Sequence, residues 1–218
     1  MTRPHGLLAA TTLGVLLLAC GDASSPSRGG RYDWRIFIPY DSAGPRVDTL
    51  TFHWTAAQLP VRIWAQDTLQ TPQHMKDAID RWKAAFLYGE FDAVLVADSG
   101  SADLIVRVQP LPGNGLPAMP GACEAETEID TVATRRELRI PIHISLHPKA
   151  DPSVVDPAPC LDVVATHELG HAMGIFQHSD DPLDVMFAQP DANTPSARDI
   201  HTVETMYHLP SDMVPVRP

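Results

Sequence analysis

HELGHAMGIFQHSDDPLDVMF, residues 167–187, places three histidines within twelve positions and follows them with an acidic turn and a methionine. Residues four apart on a helix lie on one face, one turn apart. His167 and His171 can therefore present two imidazole nitrogens to a single ion. Glu168 projects roughly 100° around the helix from His167, which keeps it out of the ligand set and beside a water held there. Two histidines, a neighbouring carboxylate and an open position are what hydrolysis assisted by zinc requires. Zinc wants a further protein ligand, and Gly174 indicates where it comes from. A glycine three residues past the second histidine permits a left-handed backbone that ends the helix and turns the chain back. A ligand a few residues later can then approach the ion.

Upstream, "CLDVVATHELGHAMG" has no internal proline, and the pattern predicts a helix from near Leu161 to Met173, with Asp162 near its positive end. Before it, "ELRIPIHISLH" alternates: Leu138, Ile140, Ile142, Ile144 and Leu146 share one face, and Arg139, His143, Ser145 and His147 the other. Pro141 lacks an N–H, so it must occupy a non-bonding or edge position. His143 and His147 read as surface or rim groups. "LTFHW", "LPVRIWAQ", "FDAVLVAD" and "ADLIVRVQ" read as further strands. Thr71-Pro72 opens a helix whose apolar stripe is Met75, Ala78, Ile79, Trp82, Ala85 and Phe86. "SARDIHTVETMYHL" reads as a last helix with Ile200, Val203, Met206 and Tyr207 on one stripe. The order predicts an α/β sandwich of one sheet and three helices.

These residues resemble the metzincin metallopeptidases, in particular their matrixin-like branch. The likeness rests on "HELGHAMGIFQHS", "DVMF", the strand "ADLIVRV", and the final helix opening with "ARD" at Asp199; it covers most of residues 55–210. The family pattern H-E-x-x-H-x-x-G-x-x-H is matched at His167, Glu168, His171 and Gly174, while Gln177 stands where the last histidine belongs and His178 comes one residue late. One extra residue in a loop can be absorbed as a bulge, so His178 is the expected third ligand and Gln177 is expected outside the ligand set, an amide oxygen being a weaker partner for zinc than an imidazole. The resemblance implies an α/β (α+β) zincin-like fold with one twisted mixed sheet and three main helices, the active-site helix carrying HExxH. It also implies one catalytic Zn2+ on His167, His171 and His178, Glu168 as general base, and Met186 in the turn that passes beneath the metal. Ala188 stands where other metzincin branches place a tyrosine ligand, so none is expected. The competing zinc arrangement, with Glu204 as third ligand, leaves Gly174 and His178 without a role. An extended substrate is expected along the segment around Gly121–Thr131. Neither Cys123 nor Cys160 lies in a pro-segment motif, so an enzyme without a cysteine latch is expected.

The chain start, "MTRPHGLLAATTLGVLLLAC", has a basic residue, a short apolar run and Cys20 in a lipobox-like "LLAC". A lipoprotein signal over residues 1–19 with lipidated Cys20 is expected; a plain secretory signal is the alternative. Residues 20–45 read as a flexible tether by composition, and 46–218 as the catalytic domain. The pair Cys123 and Cys160 suits an oxidising compartment as a disulfide, with two buried thiols as the alternative. A net charge of −11 argues against nucleic acid as a partner. Asp180, Asp181 and Asp184 could bind Ca2+ but read first as turn and capping residues around Pro182.

The expectation is thus a monomeric endopeptidase of a bacterial cell envelope, lipid-anchored or secreted, acting on a protein or peptide. The rival is a non-catalytic zinc-stabilised surface lipoprotein or binding module. Glu168 speaks against the rival, because a purely structural zinc site has no use for a base.

Overall fold

The computed structural model describes residues 30–39, 47–109, 123–148 and 158–218. The expected leader, Cys20 and the proline-rich stretches 110–120 and 152–157 lie outside these residues. The described chain runs β1 (Ile36–Pro39), β2 (Val47–Leu50), β3 (Val61–Ala65), α1 (Thr71–Lys83), β4 (Ala93–Leu95), β5 (Leu104–Val108), β6 (Glu124–Glu128), β7 (Thr131–Val132), β8 (Glu137–Arg139), β9 (Ile142–His147), α2 (Ala158–Met173), α3 (Ala197–Tyr207) and β10 (Val214–Val216). The main sheet has the order β4-β3-β5-β9-β6. Its first four strands are parallel and β6 runs antiparallel at the edge. The protein is mixed α/β, with a mixed sheet and three α-helices among the described residues.

Two smaller ladders, β1-β2 and β10-β8-β7, join the single sheet that the patterning suggests. Pro141 accounts for one of them: without an N–H it cannot carry β8 into β9, and the two halves of "ELRIPIHISLH" enter different sheets. The Ile140 N–H donates instead to the Val216 carbonyl at 2.9 Å. The alternation survives the break, with Leu138, Ile140, Ile142, Ile144 and Leu146 all buried. His147 departs from the surface reading: it is buried, and its Nδ1 lies 3.1 Å from the Gln109 carbonyl oxygen.

"LTFHW" is also corrected. Only Leu50 belongs to a strand, and Thr51–Trp54 run outside any ladder, although they are buried. Tertiary acceptors replace the ladder bonds: the Thr51 N–H donates to Asp212 at 2.9 Å and the His53 N–H to the Ser211 hydroxyl at 3.4 Å, while the Trp54 indole Nε1 donates to the Ala172 carbonyl at 3.0 Å. The tether reading over residues 20–45 gives way over residues 32–39. Tyr32 and Trp34 are buried, and β1 pairs antiparallel with β2, Ile36 opposite Leu50. Burying a large apolar side chain contributes about 2–3 kcal/mol, which outweighs the polar, glycine-rich composition upstream.

Helix α1 buries Met75, Ala78, Ile79 and Trp82, while Ala85 and Phe86 are buried just beyond its end. Trp82 Nε1 donates to the Thr166 carbonyl at 2.8 Å, docking α1 on α2. Helix α2 begins at Ala158, earlier than Leu161, so Asp162 sits a turn inside it rather than at its positive end. Asp162 accepts from Arg81 at 2.6 and 3.0 Å and from Asn193 at 2.7 Å. Packed between α1 and strands β6 and β9, α2 is buried along most of its length.

Gly174 ends that helix with φ +120°, and a Cβ there would fall inside the Phe52 carbonyl oxygen. Both the left-handed backbone and the close approach require glycine. Gly174→Ala is expected to lower the unfolding free energy of the metal-free protein by about 3 kcal/mol, read from urea titration.

Candidate metal centre

Helix α2 supplies His167 and His171; the loop after Gly174 supplies His178. One imidazole nitrogen from each lies within 4.8 Å of the others, the group of described residues suited to hold a metal ion. His171 Nε2 is 3.1 Å from His167 Nε2 and 3.3 Å from His178 Nε2. Glu204 is not part of this group. Gln177 points elsewhere, its amide donating to the Arg35 carbonyl at 3.1 Å.

Two outer contacts fix the chemistry of the nitrogens. His167 Nδ1 is 2.7 Å from the Val185 carbonyl oxygen, and His171 Nδ1 is 2.5 Å from that of Ile175. A carbonyl can only accept, so both Nδ1 atoms carry the hydrogen and both Nε2 atoms present lone pairs. Burial pushes the pKa values of His167 and His171 down to about 4 and about 3, and lowers that of His178. Neutral imidazoles with inward lone pairs are the donor set a divalent ion needs. Tetrahedral coordination with metal–nitrogen bonds of 2.0–2.1 Å calls for nitrogens about 3.3–3.4 Å apart, and the two closest separations lie near this.

Glu168 is buried, and its Oε2 accepts from the Thr127 hydroxyl at 2.7 Å. Burial pushes its carboxyl up to about 7; the Thr127 hydrogen bond opposes that rise and nearby Glu126 adds to it. A carboxyl near neutrality is suited to taking and returning a proton. Thr127 is the residue that sequence reading misses. The alternation in "EAETE" places Thr127 and Ala125 on one face of β6, but nothing local reveals that this face meets Glu168.

Met186 is fully buried, and its sulfur sits where a Cβ on Gly170 would be. Gly170 lies on α2 between His167 and His171, so the missing side chain lets the methionine turn press against the helix that carries two of the three histidines. The same turn provides the Val185 carbonyl that orients His167. The turn's acidic residues surround a cation from the protein itself: Arg198 approaches Asp180 to 2.6 Å, Asp184 to 3.3 Å and Asp181 to 3.5 Å.

A cleft of about 1070 Å³ opens over the histidines, walled by β6, the start of α2 and residues 188–191. Cys123, just before β6, and Cys160, in the first turn of α2, form a disulfide across one end of it. Their Cα atoms are 5.5 Å apart and the link closes a separation of 37 residues. Closing a loop of that size removes denatured-state entropy worth about 4 kcal/mol. Replacing both cysteines by serine is expected to lower the melting temperature, and dithiothreitol to do the same to the wild type only.

None of the described helices is long and apolar enough to cross a membrane. Comparison of the chain with protein-family models and with curated proteins yields no match.

Proposed function

We propose that this protein is a metal-dependent hydrolase and, within that class, an extracytoplasmic zinc endopeptidase of zincin type, matrixin-like among the metzincins. The observation that carries this reading is the convergence of three imidazoles and the Glu168 carboxyl on one wall of an open cleft, bordered by the edge strand β6. An edge strand offers backbone donors and acceptors with which an extended peptide can pair.

When bound, zinc supplies Lewis-acid polarisation of the scissile carbonyl and lowers the pKa of a coordinated water to about 7. The chain's own residues handle the proton. Thr127 occupies Oε2 of Glu168, which leaves Oε1 to take the proton as the water oxygen adds to the carbonyl carbon. When the C–N bond breaks, the same proton passes from Glu168 to the departing amine. Burial of Glu168 suits both halves of this transfer, because it weakens the penalty for carrying the proton.

The test is metal analysis together with cleavage of a broad peptide library. Zinc at one equivalent with no cleavage would favour the scaffold reading instead. The cleft also makes a prediction about substrates. Glu124, Glu126 and Asp191 line it, and no lysine or arginine is among its described lining residues. Peptides with Lys or Arg near the scissile bond are expected to show kcat/KM about tenfold above their Asp or Glu counterparts at low salt. The margin should shrink as ionic strength rises, and Glu126→Lys should narrow it further.

A further inference from the structure

His178 is the exposed member of the three histidines, whereas His167 is buried. The core holds the helix ligands in place, so the third depends on the loop that bears it. Every residue of that loop between Gly174 and His178 is tied down. The Ile175 N–H donates to the Gly170 carbonyl at 3.1 Å, and the Ile175 carbonyl accepts from His171. The next two residues are tied not to α2 but to the stretch just ahead of β1. The Phe176 N–H donates to the Trp34 carbonyl at 2.8 Å, and Gln177 Nε2 donates to the Arg35 carbonyl at 3.1 Å.

That stretch is itself anchored. Trp34 is buried, and Asp33 clips Arg35 through its backbone N–H at 3.1 Å and its guanidinium at 2.8 and 2.9 Å. The Tyr32 hydroxyl donates to Asp199 Oδ1 at 2.6 Å. The other Asp199 oxygen accepts from the Val185 N–H at 2.8 Å, on the peptide unit next to the carbonyl that orients His167. Residues 32–35 thus reach the surroundings of the first and the third histidine.

We infer that residues 32–35 form a strap that positions the third metal ligand, and that Gln177, the residue just before His178, is the positioning residue through which the strap acts. Gln177 is not itself a ligand. Its side chain ties the loop just ahead of His178 to the strap by spanning to the Arg35 carbonyl. The inference rests on the metal reading of the histidines and not on the peptidase reading, so it is tested by metal affinity alone.

The decisive variant is Gln177→Glu in the full chain. It keeps the side-chain length and replaces the donor facing the Arg35 carbonyl with an acceptor. Zinc affinity, measured by competition with a chelating dye, is expected to fall about 10- to 100-fold, as for other outer contacts of metal ligands. The cobalt(II)-loaded protein should show a changed visible spectrum as His178 disengages, while the melting temperature of the metal-free protein stays at the wild-type value. Tyr32→Phe, which removes one hydroxyl, should weaken zinc binding in the same direction and decides the matter if Gln177→Glu does not fold. Wild-type zinc affinity in the folded variant overturns the inference, as does a loss of affinity accompanied by an equal change in apo-protein melting. A wild type that binds neither zinc nor cobalt overturns the metal reading as well, whereas a zinc-binding wild type that cleaves no peptide overturns only the proposed activity.

Discussion

Glu168→Gln is expected to reduce kcat/KM for peptide hydrolysis by roughly 10²–10⁴-fold, the range for loss of a positioned general base, with zinc still bound at one equivalent. The amide is close in shape to the carboxylate and can still accept the Thr127 hydrogen bond, so the buried site should keep its packing. An amide cannot take the proton, however, and the reaction loses the group that shuttles it to the leaving amine. Metal content and activity must be measured on the same preparation. Activity surviving in the glutamine variant would remove Glu168 from the chemistry, and loss of zinc would show that its role is to hold the site together.

The second large effect is expected at His178. Removing one of three imidazoles should weaken zinc binding by more than about 100-fold, beyond the 10- to 100-fold range seen when only an outer contact is lost. Gln177→Ala, one position earlier, should still bind one equivalent at micromolar protein and zinc. Dialysis against a weak chelator followed by metal analysis separates the two. The contrast tests whether the ligand is the late histidine or the residue at the expected spacing. The geometry favours the histidine: its Nε2 is 3.3 Å from that of His171, while the Gln177 amide is directed to the Arg35 carbonyl.

The parts of the site that were legible in the sequence are those set by local geometry. His167 and His171 are four apart on a helix without an internal proline, so their convergence follows from helical pitch alone. Gly174 was legible as a helix end because only a left-handed backbone makes its position useful, and the structure adds the Phe52 carbonyl as a second reason. The strand faces around residues 138–146 followed from alternation. What stayed hidden depends on contacts between distant segments. Thr127 and Glu168 are 41 residues apart, and Arg35 and Gln177 are 142 apart. The stretch at 32–35 was masked by its glycine-, serine- and proline-rich neighbours, although its two aromatic residues are what secure it to the fold. "LTFHW" showed that apolar residues are buried but not that they would pair, since burial and ladder formation are separate demands on the backbone. In "ELRIPIHISLH" the missing N–H at Pro141 was visible, and its result, one pattern divided between two sheets, was not.

The packing of Tyr32 against Asp199 sets a length. Only eleven residues separate Cys20 from Tyr32, and the fully stretched chain between them spans no more than about 43 Å. A lipid on Cys20 would therefore hold the cleft on a short leash, much shorter than one running to residue 45 would be. The substrates within its working radius would be those at the membrane surface, such as neighbouring envelope proteins and the roots of anchored chains, rather than whatever diffuses through the surrounding medium.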